Sequence, residues 1–167
     1  MKKAVGLVII TKEANAYSAL LQKRTADDSY PCCLQVSCHG KLEGTELEDS
    51  DGFRRALLRE LAEELGEAFI KACQNDIKLR IVSHVRDDKK EIITYVAFVP
   101  KERLLMIQPG SEVGGLIYIS KSEVNQIIPM TPEMKENGAP SGKMAMFPDE
   151  IEAVKKAFEI IELEQMM

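Results

Sequence analysis

The sequence predicts a domain of the α/β class, because apolar segments with the composition of strands are interspersed with amphipathic helical segments. The chain has 167 residues, of which 45% are hydrophobic and 29% are charged, and this length suits one domain with a substantial core. No repeat, low-complexity tract or linker divides the sequence. We therefore expect a single domain over residues 1–167.

Strand-like segments are rich in β-branched and apolar residues and are bounded by polar or glycine-containing turns. The predicted strands are residues 4–10, 17–22, 34–38, 77–85, 92–99 and 116–119. A polar turn at residues 12–15 separates the first two, so we expect them to form an antiparallel hairpin. Residues 34–38 alternate in polarity and lead into a glycine-containing loop, as a short buried strand beside a site would.

The main predicted helix starts near Gly52 and carries its apolar residues three or four positions apart. Asp49, Ser50 or Asp51 can cap it. Its apolar face consists of Phe53, Leu57, Leu61, Leu65 and Ala68. This spacing indicates one packed side and a neighbouring side that stays polar.

The C-terminal third contains two more helical signals and one aperiodic segment. Residues 120–127 begin with Ser120 as the cap and Glu123 at the third helical position, a capping box. The last helix begins at Pro148 and places Ile151, Val154, Phe158 and Ile161 on one face. Between them, residues 129–146 are rich in Met, Pro, Gly and Lys without a period. We expect this long segment to form a lid or a substrate loop.

Four glutamates on the main helix carry the chemical signal. Glu60, Glu63, Glu64 and Glu67 stand at i, i+3, i+4 and i+7, so in one helix they form a ridge of carboxylates. Like charges on one ridge repel one another unless a cation lies among them. Oxygen ligands at this density suit a hard divalent ion such as Mg²⁺ or Mn²⁺. The alternative is a solvated acidic helix face.

Charge and hydropathy narrow the classes of partner. The formal net charge of -5 disfavours binding along a nucleic-acid backbone, although a local basic pocket for phosphate is compatible with it. We expect a cytoplasmic protein without a membrane segment, because no run of about 18 apolar residues occurs and no small-residue cleavage site follows the first strand. The four cysteines lack a paired C-x-x-C spacing, which predicts reduced thiols and disfavours a zinc site.

The stretch from Gly40 to Gly66 resembles the signature of the Nudix hydrolase family, G-x5-E-x7-R-E-U-x-E-E-x-G-U, in which U is a bulky aliphatic residue. Gly40, five residues and Glu46 match its first half, and Arg59-Glu60-Leu61-Ala62-Glu63-Glu64-Leu65-Gly66 matches its second half. Two features depart from the pattern. Twelve residues separate Glu46 from Arg59 instead of seven, and Glu67 occupies the final aliphatic position.

The resemblance implies an α/β/α sandwich with a mixed sheet and metal-dependent hydrolysis of a diphosphate linkage. It implies Glu60, Glu63 and Glu64 as ligands of Mg²⁺ or Mn²⁺, with the Gly40 carbonyl as a backbone ligand. Glu60 or Glu63 could instead orient or deprotonate the attacking water. Arg59 would pair with a ridge carboxylate, and its alternative is an ordinary surface salt bridge.

Three further residues are candidates at such a site. Family members often supply an acid from a late loop, and here Glu112 is the candidate because the glycines of residues 109–115 permit close approach; an exposed loop glutamate is the alternative. Lys41 follows the loop glycine and could reach a phosphate. Lys143 could do so from the 129–146 segment, where a solvated lysine is the simpler interpretation.

Two other functions stay open. Isopentenyl-diphosphate isomerases resemble Nudix hydrolases and use a catalytic Cys, which Cys38 beside His39 could match, but the chain has two histidines and no Trp. A non-catalytic nucleotide-binding domain is the other alternative.

The partner is expected to be a small-molecule diphosphate, and a homodimer is possible. The residues that could stack on a base are Tyr30, Tyr95, Tyr118 and Phe147.

Overall fold

A seven-stranded mixed sheet lies between two helical layers in the computed structural model, which describes residues 1–73 and 77–167. Its strands are β1 (Lys2–Glu13), β2 (Ala16–Lys23), β3 (Leu34–Gln35), β4 (Cys38–Lys41), β5 (Arg80–Arg86), β6 (Lys90–Phe98) and β7 (Gly115–Ser120). A separate parallel pair consists of β8 (Ile127–Pro129) and β9 (Met144–Met146). The helices are α1 (Gly52–Leu65), α2 (Glu67–Cys73), α3 (Lys101–Leu104), α4 (Lys121–Val124), α5 (Met134–Asn137) and α6 (Pro148–Gln165).

Strand β1 is the centre of the sheet. It pairs in parallel with β6 along one side, and on the other side its first half pairs with β4 and its second half with β2, both antiparallel. Alternate residues of a strand point to opposite faces. Accordingly Val8 and Ile10 pack in the cluster that contains α6, whereas Leu7 and Ile9 pack in the cluster that contains α1. The predicted α/β/α sandwich is therefore confirmed.

Most predicted strands are present, and the hairpin of β1 and β2 is confirmed. The predicted strand 34–38 is interrupted between β3 and β4, because side chains replace backbone partners there. The N–H of Val36 donates to the Glu150 carboxylate at 2.9 Å. The Ser37 hydroxyl accepts from the N–H of Ile9 at 2.7 Å and donates to the carbonyl of Leu20.

The main helix is shorter than predicted, and this corrects the carboxylate ridge. Helix α1 starts at Gly52, as expected, but ends at Leu65, because Gly66 takes a φ of 98° that a helix cannot contain. Glu67 therefore lies on α2 and does not continue the ridge. Of the predicted caps, Asp51 makes no capping bond, whereas Asp49 Oδ1 accepts from the N–H of Asp51 at 3.1 Å and the Asp49 carbonyl accepts from the N–H of Gly52 at 3.1 Å.

The 129–146 segment is anchored by a few buried residues, while most of its residues are exposed, and its predicted role as a lid or a substrate loop stays a prediction. Met130, Met134 and Ala145 are buried together with Cys33, and β9 pairs with β8.

The capping box of Ser120 and Glu123 is confirmed, but α4 ends at Val124 because β8 begins soon after it. Helix α6 begins at Pro148 as predicted. All four cysteines are free thiols, and no described helix has the length and apolarity needed to cross a bilayer.

We predict that Phe158→Ala lowers the free energy of unfolding by about 3–5 kcal/mol, because Phe158 is 0% exposed within the cluster beneath α6. The matched control is Leu163→Ala on the same helix, where the side chain is 63% exposed and the expected change is within about 0.5 kcal/mol. Urea denaturation of both variants measures the difference. Equal destabilisation by the two substitutions would contradict the assigned packing face of α6.

Candidate active site

An open cleft of about 550 Å³ lies where α1 meets the sheet. Glu60 and Glu64 of α1 line one part of it, together with His39 and Gly40 of β4. Arg24, directly after β2, lines it as well. The cleft thus brings acidic and basic side chains to one solvent-accessible space, which suits a ligand that carries both anionic groups and a bound cation.

The glycine at position 40 is required by its contact with Glu60. A Cβ atom on Gly40 would lie 2.1 Å from Cδ of Glu60 and 2.2 Å from its Oε1. Strand β4 can therefore approach α1 at this point only because residue 40 has no side chain. The close approach places the backbone of β4 directly against the Glu60 carboxylate.

Glu64 is a buried carboxylate with several hydrogen-bond donors. It is 7% exposed, and its Oε1 accepts from Gln22 Nε2 at 2.5 Å while Oε2 lies 3.7 Å from Cys38 Sγ. Burial, with the adjacent Glu60 carboxylate adding to it, raises the pKa of Glu64 to about 8, although the Gln22 amide and the His39 N–H oppose the rise. Two neighbouring carboxylates in this wall therefore need a proton or a cation between them.

Arg59 holds the two halves of the motif together. Its guanidinium bonds to both oxygens of Glu46 at 3.0 and 3.1 Å, to Glu60 Oε1 at 2.8 Å and to the Lys41 carbonyl at 2.8 Å. The pairing with Arg59 lowers the pKa of Glu46 and raises the pKa of Arg59 itself. Arg59 therefore connects the loop to the helix through several hydrogen bonds. It is not an isolated surface salt bridge, which was the alternative interpretation.

The longer spacer after Glu46 does not displace that residue. Glu46 lies in a 3₁₀ turn, Gly44–Leu47, and Gly52 packs so closely on the Glu46 backbone that a Cβ there would be 1.8 Å from its carbonyl oxygen. The additional residues are accommodated between this turn and the start of α1. Glu46 is buried and serves as a partner of Arg59, and it is not among the residues that line the cleft.

The other predicted site residues fall into two groups. Lys41 and Glu112 line the cleft. Gly110 permits the approach of the Glu112 loop, since its N–H donates to the Glu64 carbonyl at 3.0 Å and a Cβ there would lie 2.2 Å from the Glu63 carbonyl oxygen. Glu63 and Lys143 do not line the cleft. The Glu63 side chain is 57% exposed and 3.6 Å from Arg59, and Lys143 is exposed in the loop before β9.

The acidic pair fits a hard divalent cation. No group of three or more His, Cys, Asp or Glu side chains within residues 1–73 and 77–167 is arranged to hold a metal ion, and Glu63 lies 3.6 Å from the Arg59 nitrogen that also bonds to Glu60. Glu60 and Glu64 are nevertheless adjacent, and the burial that disfavours two negative charges there would be offset by a cation. These two carboxylates, with the Gly40 carbonyl, could hold Mg²⁺ or Mn²⁺.

Sequence analysis missed three residues of this site. Arg24, Gln22 and Gln35 all line the cleft, and Gln22 contacts Glu64. One signal was available, because Gln22 interrupts an otherwise apolar run and Arg24 follows it on the same face of the strand. The contact of Gln35 with Gln22 joins segments that are distant in the sequence, so no local pattern could have indicated it.

A second cavity of about 220 Å³ shares Arg24 and His39 with the cleft. Thr94, Phe147 and Glu150 contribute its polar and aromatic lining. Burial raises the pKa of Glu150 to about 7, although the N–H of Val36 and the charge of Arg24 oppose the rise. The second cavity therefore offers a ring face, a hydroxyl and a carboxyl group next to the larger cleft.

We predict that Gly40→Ala weakens Mn²⁺ binding by at least about tenfold, since the new methyl group must displace the Glu60 side chain. The melting temperature should change little, because the end of a long side chain can move. Titration of the protein with Mn²⁺ measures the effect. In a Glu60→Ala background the same substitution should have no further effect, and an equal loss there would contradict the explanation.

A second prediction concerns pH and Glu150. Its pKa is about 7 in the folded protein and 4.5 ordinarily, so between these values the folded state holds a proton that the unfolded state has released. Raising the pH through this window therefore lowers the free energy of unfolding. In Glu150→Gln that decline should be smaller by an amount on the order of 2 kcal/mol. Chemical denaturation from pH 4.5 to 7 tests this, with Glu152→Gln, an exposed residue of α6, as the control that keeps the wild-type slope.

Three solved structures illustrate what the fold resembles. A mutT/nudix family protein from Listeria innocua aligns with 99% of this chain and 96% of its own, at a TM-score of 0.62 and 18% identity. A C. elegans Ap4A hydrolase binary complex aligns over 97% and 98%, at a TM-score of 0.60 and 13% identity. The NUDIX domain of Shewanella oneidensis NrtR, complexed with ADP ribose, aligns over 95% and 87%, at a TM-score of 0.55 and 16% identity.

At these identities the structural likenesses establish the fold alone. No curated protein matches the sequence. The family model of the NUDIX domain, however, matches residues 1–139, which include both halves of the motif and the acidic pair. The chain therefore belongs to the NUDIX domain family.

Proposed function

We propose that the protein hydrolyses a diphosphate linkage in a nucleoside diphosphate derivative or a similar small molecule, with Mg²⁺ or Mn²⁺ as the cofactor. The observation that carries the proposal is the pair of Glu60 and Glu64, two adjacent carboxylates on the wall of a cleft that also presents Arg24 and Lys41. Such a cleft suits a substrate whose charge is negative and whose phosphates share a cation with the protein.

The charged residues of the site have distinct roles in this reaction. Glu60 and Glu64 would hold the cation, which would neutralise charge on the phosphate oxygens and activate water. Arg59 fixes Glu60 at 2.8 Å. Arg24 and Lys41 would bind the phosphates, Arg24 with the geometric advantage of its planar guanidinium.

The base that accepts the proton of the attacking water must be a group that is free to contact it, and His39 Nε2 is already engaged with Gln35. Glu112 lines the cleft and makes no ion pair or hydrogen bond to the described part of the chain. It is therefore the candidate to orient or deprotonate the water. Glu63 is the second candidate, and it would first have to leave its position 3.6 Å from Arg59.

The second cavity supports a nucleoside or a comparable ring system as the group attached to the diphosphate. It adjoins the cleft through Arg24 and His39, and Phe147 presents a ring that Tyr30 supports edge-on at a centroid distance of 5.4 Å. The relatives with this fold include an Ap4A hydrolase and a domain complexed with ADP ribose. Both of those compounds contain a base joined to a phosphate chain.

An isomerase of isopentenyl diphosphate is a weaker candidate. That reaction would need an accessible catalytic thiol, but Cys38 is 0% exposed and does not line the cleft. Burial, with Glu64 and Glu60 adding to it, raises the pKa of Cys38, so its thiol is a poor proton donor or nucleophile. Cys38 is better explained as a buried residue beside Glu64.

The test is to incubate the protein with Mg²⁺ and a panel of nucleoside diphosphate derivatives and to measure release of phosphate or nucleotide. We expect Glu64→Gln to lose more than about a hundredfold in activity, beyond what loss of an outer partner of a metal ligand produces. Cys38→Ala should keep most of the activity.

Two results would reject the proposal. Conversion of isopentenyl diphosphate that depends on Cys38 and survives Glu64→Gln would indicate the isomerase. Absence of turnover on the whole panel, together with binding of a nucleotide, would indicate a non-catalytic domain. Neither outcome can be mistaken for a folding defect if the melting temperature of each variant is measured alongside.

A further inference from the structure

Two buried glutamines connect Arg24 to Glu64 through hydrogen bonds, and all four residues line the cleft. Gln22 of β2 is 1% exposed and Gln35 of β3 is 8% exposed, and the two residues are register partners across the antiparallel pair of strands. Burying amide groups is unfavourable unless their donors and acceptors are satisfied. Here each amide is satisfied by the next residue in a single chain of hydrogen bonds that ends on the Glu64 carboxylate.

The direction of this chain is set by its first residue. A guanidinium can only donate, and Arg24 donates to Gln35 Oε1 at 3.1 Å. His39 Nε2 contacts the same oxygen at 2.7 Å, so it must carry the proton and donate too. The Gln35 amide nitrogen then donates to Gln22 Oε1 at 2.9 Å.

The last residue of the chain contacts the carboxylate directly. Gln22 Nε2 has two hydrogens, and it donates one to the Ser37 carbonyl at 2.7 Å and the other to Glu64 Oε1 at 2.5 Å. Because both hydrogens are used and its oxygen is already an acceptor, the Gln22 amide has a single orientation. Glu64 therefore meets a donor whose position is determined by Gln35 and Ser37.

We propose that Gln22 and Gln35 are positioning residues that hold the Glu64 carboxylate in the orientation needed to bind a divalent cation, and that they link this orientation to Arg24. This inference rests on the proposed function for the identity of the cation, and it adds residues that lie outside the family signature. Both glutamines line the cleft, and the role proposed for them acts through the Glu64 carboxylate.

Two facts favour positioning over ordinary packing. A buried pair of amides gives less stability than apolar side chains of similar size, so packing alone does not explain their presence. In addition, all the donors point the same way, from a cation to a carboxylate, which strengthens each successive bond. A chain with this polarity fixes a donor on Glu64 Oε1 and leaves the remaining lone pairs of the carboxylate for a ligand.

The experiment compares Mn²⁺ affinity in the substrate-free protein between wild type and Gln22→Met, a substitution of nearly equal length. We expect about tenfold weaker binding, the usual effect of removing an outer partner of a metal ligand. Gln35→Met should weaken binding by a smaller factor, because Gln22 keeps both donors. Gln126→Met, at an exposed position after α4, is the control and should bind as wild type does.

A double-variant cycle separates positioning from general stability. In a Glu64→Gln background, Gln22→Met should have no further effect on Mn²⁺ affinity, because the group that it positions is gone. In the wild-type background it should lower kcat with little change in KM. If Gln22→Met does not fold, Gln35→Met, which does not touch Glu64, decides by the same comparison.

Three results would overturn the inference. They are wild-type Mn²⁺ affinity in Gln22→Met, an equal loss in the Glu64→Gln background, and failure of the wild-type protein to bind Mn²⁺ at all. If Mn²⁺ binds and depends on Gln22 while no diphosphate is hydrolysed, the proposed function fails and the positioning role stands. The two proposals are thus tested separately.

Discussion

The side-by-side placement of Glu60 and Glu64 in a partly buried wall is the constraint on which the rest of the site depends. Two carboxylates in low dielectric repel each other and lose hydration, so the surrounding structure must supply compensation. Arg59 contacts Glu60, and Gln22 contacts Glu64. Gly40 has no side chain, which leaves room for the Glu60 carboxylate against β4. A divalent cation would complete this compensation, which explains why so polar a cluster is compatible with a stable fold.

The same constraint explains the glycines and the arginine around the pair. Gly40, Gly52, Gly66 and Gly110 each stand where a side chain would meet backbone or carboxylate at short distance, so the loop, helix and late loop can close on one another. Arg59 then joins Glu46 of the loop to Glu60 of the helix. The motif is therefore a packing unit as much as a set of ligands. Its longer spacer is accommodated because Gly52 lets the start of α1 pack on the Glu46 backbone.

Sequence patterns predicted the acidic pair because the relevant geometry is local. Residues four apart in a helix are separated by only about 40° around its axis, so Glu60 and Glu64 had to be neighbours once α1 formed. Glu63 is about 100° from Glu64, and whether it faces the cleft depends on how α1 is rotated against the sheet. The structure turns it toward solvent and Arg59. Glu67 was placed on the ridge wrongly because Gly66 ends the helix one residue before it.

The sequence by itself determined most strands of the main sheet, the capping box of Ser120 and Glu123 and the start of the main helix, since these follow from short-range periodicity and turn chemistry. Only the tertiary structure decided that the 129–146 segment is anchored beside Cys33, that Cys38 does not line the cleft and that Gln35 reaches Gln22. Each of those outcomes depends on contacts between residues far apart in the chain. Such contacts depend on how the helices pack on the sheet, and local sequence patterns carry no information about that packing.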